Sequence, residues 1–319
     1  MIDLVKNSII QGAIDCACSN TSTRKTDVKF VTKCADAISD LLDNYADGII
    51  LSEDLLSVCL SENARQELEP LLSLLEAYQI IARKFIDVTL ERGEKNLTPF
   101  MQDTVTDRWM IGYIAMLHNC NASALLLLLN GLPIQAQVIT RQLIETCMRA
   151  LFFASNEELF REYHYGKNAN CQKTQRSFRM KHLQPHKLRK YLNETSQRTK
   201  FDDLDSLYNQ LSSFVHASNA AINLSALPSA NEDYSSFHRH PFAHLWKPDA
   251  DIRQQLILHI NTCTVFWTEF KHRALSEGGN DTLIRFFPAE NEESDELGLF
   301  LMMFGAPAAV EHLMTGDVY

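Results

Sequence analysis

Residues 109–140 read WMIGYIAMLHNCNASALLLLLNGLPIQAQVIT without one charged side chain, and the chain continues as RQLIETCMRALFF to Phe153. This stretch decides the fold. It divides at Asn130-Gly131-Leu132-Pro133, where glycine closes one helix and proline opens the next. The expected core is therefore an antiparallel helical hairpin over about residues 109–155. Its second arm carries Arg141 and Glu145 four positions apart. At that spacing they share a helix face about one turn apart and can form an ion pair beside an oily surface.

Outside the hairpin the same period recurs. Residues 1–18 are helical up to a polar loop at 19–23, and Val28, Val31, Ala35, Ile38, Leu41, Leu42 and Tyr45 mark one face of a second helix. Ser52 with Glu53 and Asp54 opens a short helix, and Ser61–Arg92 forms a longer helical stretch in which Pro70 marks a kink or a boundary. Thr98-Pro99 has the order of a cap and a first-turn proline. Beyond the hairpin, helices are expected over 157–165, 202–215, 250–275 and 297–314. The 219–248 stretch is the longest irregular one, and 290–296 is an acidic linker. With 11 glycines and 9 prolines in 319 residues the chain is poor in turn formers, so the fold class is all-α, a multi-helix bundle. Three portions follow: an N-terminal helical portion to residue 96, a core bundle over 97–288, and the linker with a C-terminal helix over 289–319.

The formal charge of −10 hides an asymmetry. Residues 167–200 hold ten Lys/Arg against Glu194 alone, a local +9 that leaves −19 for the rest. The amino terminus MIDLVKNSIIQG lacks the cationic leader and cleavage site of a signal peptide. Eight cysteines at irregular spacings fit reduced thiols better than a disulfide framework. The expected compartment is the cytoplasm. The 109–140 run is interrupted by His118, Asn119, Asn121, Asn130, Gln135 and Gln137, which weighs against a membrane hairpin.

A candidate chemical stripe lies on the 202–215 helix and its end. Tyr208, Ser212 and His216 are four apart, so a phenol, a hydroxyl and an imidazole advance by about 40° per step along one side. Near a helix C-terminus the protonated imidazole is favoured, which suits a proton donor or acceptor. The plainer alternative is that His216 caps or packs there, satisfied by a backbone carbonyl.

The run GLPIQAQVITRQLIETCMRALFFAS followed by LYNQLSSFVHAS resembles the bacterial helical family DUF5677, over about residues 111–224. That family pairs R-x-x-x-E on one helix with Y-x-x-x-S-x-x-x-H on a later one. The pattern falls here on Arg141 and Glu145, and on Tyr208, Ser212 and His216. More distantly, the second piece is similar to the HEPN superfamily, whose nuclease members use an R-x4-6-H motif without metal. The resemblance implies an HEPN-like core and a metal-independent ribonuclease in a toxin or defence setting. In it His216 would handle the 2′-OH proton and a cation would balance the phosphate. Asn209 stands where that arginine is expected, so Arg141 would have to supply the charge.

The basic strip points to a polyanion partner such as RNA, held by Lys173, Arg176, Arg179, Lys181, Lys187, Arg189 and Lys190. Phe178, His182, His186 and Tyr191 are interleaved as stacking groups. A solvated face is the ordinary alternative for such a charge run. His238, His240 and His244, and Cys16, Cys18 and Cys34, lack the paired spacing of a metal module, so neither a metal nor a cofactor is expected. No phosphate-binding glycine loop or nucleophile elbow occurs. Two function classes remain. One is a binding or interaction module, taking a protein or a polyanion, whose polar residues lock helix to helix. The other is the His216 ribonuclease. A homodimer is the expected oligomeric state.

Overall fold

The computed structural model of the chain describes residues 2–19, 28–45, 62–94, 108–129, 132–166, 171–196, 208, 209, 211, 249–275 and 294–315. Among them there are ten helices and no strand, so the all-α class holds. In chain order these are α1 Ile2–Ser19, α2 Val28–Tyr45, α3 Glu62–Glu94, α4 Arg108–Leu129, α5 Pro133–Ala154, α6 Glu157–Tyr165, α7 Gln172–His182, α8 Pro185–Thr195, α9 Asp249–Leu275 and α10 Ser294–Thr315. Pro70 is no boundary, because α3 runs through it. The short helix expected at Ser52, the Thr98-Pro99 start and the 219–248 loop lie outside the described residues.

By compactness the chain divides into two units. The first comprises Met1–Ser52, Gln66–Ala115 and Cys263–Tyr319, the second Glu53–Arg65 and Met116–Thr262. In the first unit α10 docks on α1 and α2. Glycine makes that approach close. A Cβ on Gly298 would stand 2.6 Å from the Ala37 carbonyl oxygen, and one on Gly305 would collide with the Ile9 carbonyl oxygen. The resulting seam buries Ile9, Ile38, Leu41, Leu299, Met302, Met303 and Ala306. Elsewhere in this unit α3 meets the C-terminal half of α9. Tyr78 hydroxyl and Thr264 Oγ1 are 2.7 Å apart, and Phe85 meets Trp267 and Phe270 edge-on, each at 5.8 Å between ring centroids.

The hairpin of the second unit follows the sequence. α4 ends at Leu129, and α5 begins at Pro133 with proline in its first turn and Leu132 at the cap. Leu132 N–H donates back to the Leu127 carbonyl at 2.9 Å. Of the described helices, α4 holds one stretch, Ile111–Leu129, long and apolar enough to cross a membrane. Ile114, Leu117, Asn121, Ala124, Leu125 and Leu128 are buried at helical spacing, as on a helix that turns one side to a protein core. After α5 the chain reverses at Ser155-Asn156, where Asn156 Nδ2–H donates to the Phe152 carbonyl at 2.8 Å. There α6 sets Phe160 and Tyr163 against Phe153, both at 5.6 Å, and α8 lies along α5 with Leu188 and Leu192 buried.

Candidate functional site

Leu143, Ile144, Cys147, Met148 and Leu151 anchor α5 in the core. Arg141, Glu145 and Arg149 then follow at successive four-residue steps, all half-buried. The expected Arg141–Glu145 pair is not what forms. Glu145 is bonded to Arg149, one turn later. The reason is directional: helical side chains lean toward the N-terminus, so an arginine reaches back to a carboxylate four residues before it. Arg141 leans away from Glu145 instead. Its Nη2–H donates to the Tyr208 hydroxyl at 2.7 Å, and its guanidinium carbon lies 4.7 Å from the centroid of the same ring. The Arg141 Nε is buried and finds no hydrogen-bond partner among the described residues.

Of the stripe read on the later helix, Tyr208 is buried; Asn209, at the position of the expected arginine, is exposed. Ser212 and His216 lie outside the described residues. The structure thus joins Arg141 to Tyr208 and Glu145 to Arg149.

A second polar group, centred on His259, escaped the sequence reading. Gln255 and His259 of α9 fall on the same buried side as Ile252, Leu256 and Ile260, and His259 is 0% exposed. Its Nδ1–H donates to Asn121 Oδ1 of α4 at 2.8 Å. Its Nε2 accepts from Gln255 Nε2 at 2.9 Å. Gln255 gives its other amide hydrogen to the Thr140 hydroxyl of α5, which passes its own proton to the Ala136 carbonyl at 2.9 Å. Gln137 completes the set by donating to Gln255 Oε1 at 3.3 Å. Burial pushes the His259 pKa down to about 3, so the ring is neutral. With both nitrogens bonded and no solvent access, it clamps three helices and is closed to chemistry. The available signal was a pair of polar residues on an apolar helical face.

The basic strip forms α7 and α8. Lys173, Arg176, Arg179, Lys181, Lys187 and Lys190 are exposed, and Arg189 is half-buried. The two helices hold these seven cations and one acid, Glu194. Lys190 lies 3.9 Å from Glu194 on an open surface, a contact of little energetic weight. Lys187 Nζ donates to the carbonyls of Met180 and Lys181 at 2.8 and 3.0 Å, which satisfies the end of α7. Within α7, Lys173, Arg176 and Arg179 follow at three-residue steps, so each like-charged pair costs about 0.2–0.5 kcal/mol. Lys173 also stands in the first turn, near the positive end of the helix dipole. Against this repulsion α7 buries one side chain, Phe178.

Phe178 and Tyr191 are not the stacking groups the sequence suggested. Phe178 packs between Tyr163 and His182 at 5.0 and 4.8 Å, and Tyr191 meets Phe152 edge-on at 5.1 Å. Phe178 is drawn inward as the one buried side chain of α7, whereas half-buried Tyr191 shares α8 with the buried Leu188 and Leu192. Burial, then the neighbouring Lys181, lowers the His182 pKa, so this ring adds little positive charge.

Among the described residues no group of three or more His, Cys, Asp or Glu could hold a metal. His238, His240, His244 and the side chains of Cys16, Cys18 and Cys34 lie outside them. Cys120, Cys147 and Cys263 are buried thiols, while Cys171 is exposed just before α7. Comparison of the chain with protein-family models, curated proteins and solved structures finds no match.

Proposed function

We propose that this chain is a non-catalytic helical binding module of the cytoplasm whose α7–α8 face takes a polyanion, RNA being the foremost. One observation carries the proposal: Lys173, Arg176, Arg179 and Lys181 stand exposed on a single helix that contains no acid. A chain of net charge −10 that concentrates its cations so strongly, at a repulsive cost within α7, has a surface suited to an anionic partner. The bond of Arg141 to Tyr208 and the network of His259 with Asn121, Gln255 and Thr140 fit polar residues that lock helices together. The likeness to the HEPN superfamily adds the expectation of a defence or toxin setting.

The test is binding of labelled RNA at rising ionic strength. Affinity should fall by about 50- to 150-fold between about 50 and 200 mM salt for a face making about four phosphate contacts. A triple variant, Lys173→Glu with Arg176→Glu and Arg179→Glu, should abolish the binding. Binding that ignores salt, or no binding, removes the proposal.

The ribonuclease remains a second reading because Arg141 is tied to Tyr208, on the segment that continues in sequence to Ser212 and His216. Total RNA incubated with the protein and with a His216→Ala variant decides it. Equal products, or none, exclude catalysis by His216.

A further inference from the structure

We infer that the partner of the α7–α8 face is a double-stranded nucleic acid, gripped through its phosphates with no base stacked on the protein. This rests on the polyanion reading above and narrows it. Proteins that hold single strands combine a cationic groove with aromatic platforms on which successive bases stack. Apart from His186, which is exposed in the first turn of α8, the rings of this region are engaged with one another. Phe178 is 7% exposed, and Phe152, Phe153 and Phe160 are buried. Tyr191 lies at 76° to Phe152 in a T-shaped pair. Among the residues whose side chains the structure describes, Tyr165 is the one exposed Phe, Tyr or Trp, at 51%. It meets Phe160 edge-on at 6.5 Å. A phenol on α6 and an imidazole on α8 do not make a ladder for successive bases.

What the surface offers instead is charge gathered on the outer side of one helix. At about 100° per residue, Lys173 and Arg176 stand about 140° and 160° around the helix from the anchor Phe178, with Arg179 and Lys181 flanking them. From Lys173 to Lys181 the helix advances about 12 Å. The same length of duplex axis carries about seven phosphates already held in place. A single strand would have to be straightened against its own entropy, and no stacking would offset that loss. A duplex meets the cations without such ordering, and phosphate contacts alone hold it without regard to sequence. The backbones of double-stranded RNA and DNA share this chemistry.

Anisotropy titrations with double-stranded RNA, double-stranded DNA and single-stranded RNA of one length test the inference. The duplexes should bind within a few-fold of each other and at least about tenfold more tightly than the single strand, with a log–log salt slope of about −3 to −4. Arg176→Glu, checked for unchanged circular dichroism, should reduce the slope by about 1 or more. Tyr165→Ala should leave duplex affinity within about twofold, whereas removal of a stacking ring would weaken it by tenfold or more. Single-strand binding as tight as duplex binding, or a large loss in Tyr165→Ala, overturns the duplex inference and leaves the polyanion reading standing. Failure of all three nucleic acids to bind overturns both.

Discussion

His259 Nδ1 lies 2.8 Å from Asn121 Oδ1, although the two residues are 138 positions apart in sequence. The opposite ring nitrogen is held by Gln255. Replacing His259 with leucine would leave the Asn121 carbonyl and a Gln255 amide hydrogen without their partner inside the core. At about 1–3 kcal/mol for each orphaned group, the expected loss is about 2–6 kcal/mol. Urea unfolding should show a lower midpoint with an unchanged slope.

The same ring gives the protein a dependence on acid. Its folded pKa, about 3, lies below the ordinary histidine value, so the unfolded chain takes up a proton that the folded chain refuses. Stability from this group is present above about pH 6.5 and declines by about 1.4 kcal/mol per unit as pH falls toward 3. Stability curves of the native protein and of His259→Gln, compared between pH 7 and 4, should differ by this slope. Parallel curves would mean that the ring is protonated inside the fold.

The pairing along α5 can be read by double-mutant cycles. Glu145 with Arg149 should couple by about 0.5 kcal/mol, and Arg141 with Tyr208 by about 1 kcal/mol from a charge-assisted hydrogen bond and ring contact. Arg141 with Glu145 should be additive within about 0.3–0.5 kcal/mol. A larger coupling there would restore the pairing expected from sequence.

One substitution should act with opposite sign at two glycines. At Gly305 an alanine Cβ collides with the Ile9 carbonyl, so α10 must shift, at a cost of about 1–3 kcal/mol. Gly112 in α4 is exposed, and nothing lies within 4 Å of its Cβ position. There alanine should stabilise by up to about 1 kcal/mol through helix propensity. Thermal unfolding of the two variants settles both signs.

Thiol labelling should separate the described cysteines. Cys171 is exposed, and its pKa is lowered by the Thr174 backbone amide, then by the Thr174 hydroxyl and the Lys173 amide. Burial pushes Cys120 up to about 11. Brief iodoacetamide treatment near neutral pH, read by peptide mass mapping, should modify Cys171 and leave Cys120, Cys147 and Cys263 untouched until the protein unfolds.

Local features of this fold were legible in advance, because periodicity and punctuation are local properties. The uncharged run, Pro133 and the spacing of apolar residues specified α4 and α5. Pro70 misled only in allowing a boundary, since flanking residues rich in helix formers carry α3 through it. The Arg141–Glu145 error came from treating a four-residue spacing as symmetric, when the order of the charges decides which pair closes. His259 was illegible for a different reason. Its partners on α4 and α5 are 119 or more positions away, and nothing in the local pattern of α9 says which polar residues will meet.

Phe178 is the single buried side chain of α7. An eleven-residue helix held to the bundle by one ring, and strained by its own cations, belongs at the low end of the local stability range. Its amide hydrogens should therefore exchange through an opening smaller than global unfolding, far ahead of those in α5. An anion bound at the proposed face would neutralise Lys173, Arg176 and Arg179 and close that opening, so that the charged surface would also set how long its own helix stays docked. Hydrogen exchange confined to 172–182 thus becomes a gauge of occupancy, readable without knowing the ligand.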